Sequence, residues 1–220
     1  FNLGVVSQYR YRGIAQTHGD PALQGGVDYA HSSGMYVGAW GSTIHWIKDI
    51  NSQNNGNFEL DLYGGYKFEA SGVAYDVGYL RYEYINNSLN PSANTDEIYG
   101  AATYGVFTAK YSHALSNLFG APNSKGSHYL DLSATFELGN GYSLVPHVGR
   151  QIVSNSRTVA GTGDYTDYAL TLNKDLGNGL IANLSAIKTN ADAGEGQFYR
   201  NARGYDMGKN ALVVGVKYTF

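Results

Sequence analysis

Apolar and polar residues alternate along this chain with a period of two, in segments of about ten residues separated by turn signals. The alternation predicts twelve strands, at 1–13, 24–31, 35–44, 57–68, 73–85, 96–104, 106–115, 128–138, 142–152, 164–174, 179–188 and 211–220. In the last, Leu212, Val214, Val216, Tyr218 and Phe220 share one side, opposite Ala211, Val213, Gly215, Lys217 and Thr219. In the eighth, Leu130, Leu132, Ala134, Phe136 and Leu138 oppose Tyr129, Asp131, Ser133, Thr135 and Glu137, and the fourth sets Phe58, Leu60 and Leu62 against Glu59, Asp61 and Lys67.

The connections alternate as well. Short ones are expected at 32–34, 69–72, 104–105, 139–141 and 175–178, where Asn-Gly and Gly-Asn pairs supply the positive φ of tight hairpins. Long ones fall at 14–23, 45–56, 86–95, 116–127, 153–163 and 189–210. Short turns on one rim and long loops on the other describe an all-β, transmembrane, antiparallel up-and-down barrel of about twelve strands, with both termini on the periplasmic side. Its apolar face meets lipid. Carboxylates are costly in hydrocarbon, so the charged face points to the lumen.

Composition sharpens this reading. Charged residues are only 15% of the 220, against roughly a quarter in soluble domains, while Gly numbers 29 and Tyr 20. Mean hydropathy is nevertheless −0.31, and no apolar run is long enough for a membrane-spanning helix. The absence of cysteine excludes disulfides and thiolate metal sites. A net charge of −3 offers nothing to a nucleic acid. Residues 1–220 read as one domain, and the start at Phe1 is expected to be that of an exported chain whose signal has been removed. Phe1, Phe68, Tyr75, Phe107, Phe136, Tyr142, Tyr218 and Phe220 gather beside the short turns, where an interfacial aromatic girdle belongs.

Two stretches carry a family likeness. Gly215-Val216-Lys217-Tyr218-Thr219-Phe220 resembles the C-terminal assembly signal of outer-membrane barrels, in Gly215, Tyr218 and Phe220. Residues Ser7 to Thr17 (SQYRYRGIAQT), then Pro21 to Gly26 (PALQGG), Glu59 to Tyr66 (ELDLYGGY) and Asp76 to Leu80 with Tyr82 and Tyr84, resemble the TorF family of porins, conserved outer-membrane proteins of unknown function. The resemblance spans most of the chain and is strongest before residue 105. It implies a porin in the bacterial outer membrane, in contact with lipid, lipopolysaccharide, the barrel-assembly machinery and other envelope proteins. It implies no particular solute and no cofactor.

Arg10 and Arg12 share a face with Asn2, Gly4 and Gln8 and are expected to line the pore, either as an anion-attracting constriction or neutralised by acids such as Asp28. The other expected pore-lining charges are Lys67, Lys110 and Lys217, with Glu59, Asp61, Asp76, Asp131, Glu137 and Asp167. Lys67 is expected beside Asp76, and Lys110 beside Glu137. The passage is a narrow pore for small hydrophilic solutes; the alternative is a non-conducting scaffold or adhesin, marked by a lumen sealed with ion pairs and tyrosines. Catalysis of the kind outer-membrane phospholipases perform needs a lipid-facing Ser–His pair. The adjacent Ser112 and His113 point to opposite faces, Ser116 is the other nearby hydroxyl, and His147 has no serine on its own side. No His or Asp cluster has metal-ligand spacing. Pro146 within a strand is tolerated only where its missing donor is harmless, such as a bulge. The polar loop at 189–210 is either a lid or partner surface, or a solvated loop.

Phe220 carries the terminal signal, so Phe220→Ala should lower the fraction of chain that folds into membranes. The check is the heat-modifiable shift of folded barrels on gels; an unchanged folded fraction would remove the signal from this residue.

Overall fold

Backbone amides cannot be left unpaired in hydrocarbon, and strands satisfy them only when a sheet has no edge. The computed structural model, which describes residues 1–50, 55–155 and 162–220, shows that solution: a closed antiparallel barrel of twelve strands. Its walls are β1 (Asn2–Val6), β4 (Ala22–Ala30), β5 (Met35–Thr43), β6 (Phe58–Ala70), β7 (Val73–Ile85), β8 (Thr95–Tyr104) and β9 (Phe107–Ala114). They continue through β10 (His128–Ala134) with β11 (Phe136–Gly139), β12 (Tyr142–Ile152), β13 (Tyr165–Gly177), β14 (Leu180–Thr189) and β15 (Ala211–Thr219). Each strand pairs with its neighbours in sequence, and β1 closes the ring on β15 with Leu3 opposite Tyr218 and Val5 opposite Val216. A separate small hairpin, β2 (Arg10–Tyr11) and β3 (Ile14–Ala15), belongs to no wall, and a short helix α1 (Trp46–Ile50) follows β5.

The expected faces are the observed ones. Leu3, Val5, Leu62, Val77, Leu130, Leu170 and Val214 stand exposed on the outer wall, where lipid takes the place of a core. Their strand neighbours point inward. At the short-turn rim Phe1 and Phe220 are 75% and 73% exposed, Phe68 stacks on Tyr75 at 5.0 Å, and Tyr218 meets Phe220 edge-on. The turns there are tight for the reason the sequence announces: Ser71-Gly72, Asn140-Gly141 and Asn178-Gly179 all have positive φ. The remaining two-residue turn is Gly105-Val106, one position later than the alternation places it.

One expectation needs correction. The first strand does not run over 1–13. It ends at Val6, and residues 7–21 turn into the lumen. Continued as a strand, Tyr9 and Tyr11 would lie on the lipid face with Leu3 and Val5; folded inward, Tyr9 is buried and Tyr11 half-buried. Pro146 sits where its missing donor does no harm, though not in a bulge. Ser133 pairs with His147 and Phe136 with Leu144 in one unbroken register, and the ladder is interrupted only at 134–135, opposite the proline that has no N–H to give.

Single cysteines at Asn55, Asn90 and Ala193, on the long-loop rim, should react with an impermeant maleimide on intact cells, whereas one at Ser71 should not. Labelling at Ser71 alone would invert the barrel.

Candidate functional site

The inner hairpin is the element that the lumen is built around. Its turn, Arg12-Gly13, has φ of +47° and +79°, the left-handed pair that a two-residue hairpin requires. Gly13 is needed twice over. A Cβ there would come within 2.6 Å of the Thr189 side chain and 2.8 Å of Asp167, so the tip of the hairpin rests directly on the wall formed by β13 and β14.

From the wall between β1 and β4, the hairpin crosses to the far side of the barrel. The Arg12 guanidinium makes a two-pronged contact with Glu97 on β8, at 3.0 and 2.8 Å, and donates to the Gln151 side chain on β12 at 3.0 Å. It also lies over the Tyr129 ring at 4.4 Å. The ion pair is buried, with the two side chains 7% and 3% exposed. The Tyr9 hydroxyl donates to Glu59 on β6 at 3.0 Å, and the Tyr11 hydroxyl is hydrogen-bonded to that of Tyr82 on β7. Arg10 donates to the carbonyls of Gly13, Met207 and Lys209 at 3.0–3.1 Å. Strands on every side of the barrel therefore hold one short segment.

The hairpin divides the interior. Above it, toward the long loops, lies a cavity of about 270 Å³ with Trp46, Tyr84, Phe119 and Phe198 among its walls. Below it is a chamber of about 360 Å³ lined by Asp61, Lys110, Asp131, His147 and Asp167. Tyr11 and Arg12 line both.

The lower lumen is a lattice of carboxylates and tyrosines. Tyr129 donates to Asp167 at 2.7 Å, and His147 lies 3.0 Å from Asp167 and 3.3 Å from Asp131. Tyr129 reaches Asp167 because residue 149 is glycine; a Cβ at Gly149 would fall 1.8 Å from the Tyr129 hydroxyl. Nearer the short-turn rim, Tyr36 donates to Asp76 at 2.6 Å and Tyr63 to Asp28 at 2.5 Å. Lys67 and Lys110 lie over the rings of Tyr36 and Tyr99, at 4.9 and 3.9 Å. The opposite wall offers neutral groups, such as the Thr171–Ser185 contact at 2.8 Å.

Set against the sequence reading, the inward positions of Glu59, Asp61, Asp76, Asp131, Asp167 and Lys217 follow the alternation, and Lys67 faces Asp76 in the β6–β7 register. Lys110 does not meet Glu137. Its register partner on β10 is Asp131, and Glu137 lies further down, opposite Ser143 and exposed. Asp28 is not the partner of either arginine, because it sits in the short-turn half of β4 and is held by Tyr63. Glu97 is the acid that matches Arg12, so Arg12 adds no unbalanced positive charge to the constriction. Sequence reasoning missed Glu97, Gln151, Tyr9 and Tyr129; for Glu97, its parity with Tyr99 on β8 was the one available signal.

The long loop is tied down. Tyr199 donates to the Gly163 carbonyl at 2.6 Å, and Arg203 pairs with Asp49 at 3.1 Å. Burial pushes the Tyr199 hydroxyl well above the ordinary phenol range, so it stays a donor. In the loops at 45–56 and 153–163, and in the Asn-rich run 51–57, residues 51–54 and 156–161 lie outside the described residues. Ser112 is buried while His113 lies beside Tyr111 on the outer face, which leaves this pair apart. Among the described residues no group of three or more His, Cys, Asp or Glu is placed to hold a metal ion.

Solved structures with the same fold are outer-membrane proteins. The NanC porin superposes with a TM-score of 0.69 at 12% identity, over 99% of this chain and 100% of that one. The KdgM porin, solved in complex with disordered oligogalacturonate, gives 0.61 at 8% identity over 100% and 99%. Outer membrane phospholipase A from Escherichia coli gives 0.54 at 13% identity over 99% and 89%. No curated protein matches the chain. One family model matches residues 1–220; it is described as a bacterial protein of unknown function, Gcw_chp, and does not carry the TorF name.

Removing one member of a buried ion pair strands the other and costs about 3–5 kcal/mol, whereas replacing both is far milder. Glu97→Ala and Arg12→Ser should each lower the stability of the folded barrel by that order in urea titrations. Arg12→Met with Glu97→Gln should recover most of it. Additive losses in the double variant would show that the two residues do not act as a pair.

Proposed function

For this chain, which belongs to the Gcw_chp family, we propose the role of an outer-membrane porin whose passage is narrowed by the inner hairpin and admits small hydrophilic solutes by diffusion. The observation that carries this reading is the hairpin itself, which leaves two spaces, an aromatic one above and a polar one below, meeting at Tyr11 and Arg12. A twelve-stranded wall encloses a lumen wider than side chains alone fill in eight-stranded barrels and far narrower than that of general porins. A segment folded into such a lumen sets the bore. The fold shared with the NanC and KdgM porins supports this role, and the outer membrane is the location it requires.

The lumen chemistry favours solutes that are hydroxyl-rich or uncharged. Arg12 is balanced by Glu97, His147 lies between two aspartates, Lys67 and Lys110 stand in register with Asp76 and Asp131, and tyrosine, serine, threonine and asparagine lie among them. No fixed ring of one sign dominates among these groups. A reaction is not part of the reading, since Ser112 and His113 stand on opposite faces.

A second reading, a barrel closed to solutes and serving as a scaffold, is favoured by the same hairpin. Its contacts to Glu59, Tyr82, Glu97 and Gln151 make a seal of ion pairs and tyrosines. Planar-bilayer recordings separate the two. The Gln16 amide is bonded to the Tyr9 carbonyl, so two glycines can replace residues 9–16 and bridge the gap. The native protein should show small, discrete conductance steps, and the variant steps several-fold larger. Silence from both proteins would leave the scaffold reading; equal conductance would show that the hairpin does not set the bore.

A further inference from the structure

The cavity above the hairpin has a chemistry unlike the lumen below it. Its walls are rings and aliphatic side chains: Trp46 and Tyr84 meet edge-on at 5.2 Å, and Phe119 packs edge-on against Tyr11 at 5.8 Å. Phe198 closes the side beneath the long loop, and Leu118 and Met207 fill between.

Most of the polar groups at this cavity are already engaged. Arg12 is spent on Glu97 and Gln151, and the Gln151 amide donates to the carbonyls of His128 and Ile152. Asn201 donates to His18 and Asp49 and accepts from the amides of Arg203 and Tyr205. Two groups are exceptions: the Trp46 Nε1–H, which is buried with no hydrogen-bond partner among the described residues, and Arg200. Arg200 is exposed, its Nη1 donates to the Ala193 carbonyl at 3.2 Å, and no carboxylate lies within ion-pair distance among the described residues. Arg203, three residues on, is by contrast paired with Asp49.

The geometry points to a binding site, at the long-loop mouth, for a small aromatic carboxylate: one ring against Trp46, Phe119 and Phe198, and its carboxylate on the Arg200 guanidinium. Size sets the limit. At about 270 Å³ the cavity is smaller than the roughly 300–1,000 Å³ of drug-sized sites, so the occupant has a single ring. Charge sets the sign. Clustered aromatic rings also suit quaternary ammonium ions, but an arginine at the rim with no carboxylate within ion-pair distance among the described residues opposes a cation, although Asp206 is its neighbour across the backbone bridge. The planar guanidinium fork matches a carboxylate in two parallel hydrogen bonds. The site rests on the porin reading only for the side from which a solute arrives.

Trp46 reports on occupancy. In a Trp40→Phe background it is the remaining tryptophan, since the chain has two, and its fluorescence can be followed in detergent-solubilised, folded full-length protein. Sodium benzoate should quench it saturably. Arg200→Gln, at an exposed position that leaves folding intact, should weaken benzoate about tenfold, the loss expected for hydrogen bonds to a charged group. Benzamide, which has the ring without the charge, should be weaker by a similar factor, and Phe198→Ala should weaken benzoate and benzamide alike. Equal affinity for benzoate and benzamide, tighter binding of benzyltrimethylammonium, or an Arg200→Gln variant that binds benzoate as the parent does would each overturn the assignment. No current is measured, so a failure here leaves the conduction test untouched, and a sealed barrel would still bind benzoate at its mouth.

Discussion

Hydrocarbon offers no hydrogen bonds, and everything else in this molecule follows from that constraint. A wall of strands must close on itself, and β1 against β15 is where this one does. Closure then fixes the alternation: one side chain in two faces lipid, and the other is confined to a space whose width is set by strand number. Polar groups that could not be placed outside are collected inside, where they must satisfy one another. The tyrosine–carboxylate lattice of the lumen is the result of that confinement. Tyr63 with Asp28, Tyr36 with Asp76 and Tyr129 with Asp167 each join a donor that reaches over one intervening strand, at a glycine, to an acceptor that needs one.

The inner hairpin solves a second problem created by the first. Twelve strands leave more interior than short side chains fill, and with the upper lumen unfilled Glu97 would lack its ion-pair partner and Glu59 one of its hydroxyl donors. Residues 9–16 supply them through Tyr9 and Arg12. The hairpin in turn makes the mouth aromatic, because Tyr11 extends the ring cluster of Tyr82, Tyr84 and Phe119 across the bore. A polar lower lumen and an apolar mouth are thus two faces of a single insertion.

The barrel was legible in the sequence because its cause is periodic. Each strand of the wall repeats the same two-residue rule, and turns such as Asn140-Gly141 and Asn178-Gly179 punctuate it with residues that tolerate positive φ. The hairpin was not legible, because it obeys the same alternation for a different reason. Ser7 to Arg12 continues the pattern of β1, and the inward turn at Arg12-Gly13 lacks the Asn or Asp that usually marks one. Arginines 10 and 12 were expected inside and are inside, yet their partners depend on which strands lie across the barrel. Arg12 and Glu97 are 85 residues apart in sequence, and no local pattern joins them. The Lys110–Glu137 expectation failed by a smaller margin, a few rungs of the β9–β10 ladder, and depth along a strand is what alternation alone does not measure.

The origin of the hairpin in β1 has a consequence for how the molecule comes into being. Its partners, Glu59, Tyr82, Glu97 and Gln151, arrive later in the chain, and the Arg12–Gln151 contact spans 139 residues. The seam that completes the cylinder uses the strand immediately before the hairpin and the last strand of all. Long-range contacts of this kind form slowly, and here they are topologically ordered as well. Residues 9–16 hang from the long-loop ends of β1 and β4, so they can settle onto these partners only once the strands that carry them are in place. The hairpin is therefore among the first residues of the barrel in sequence and among the last to lock.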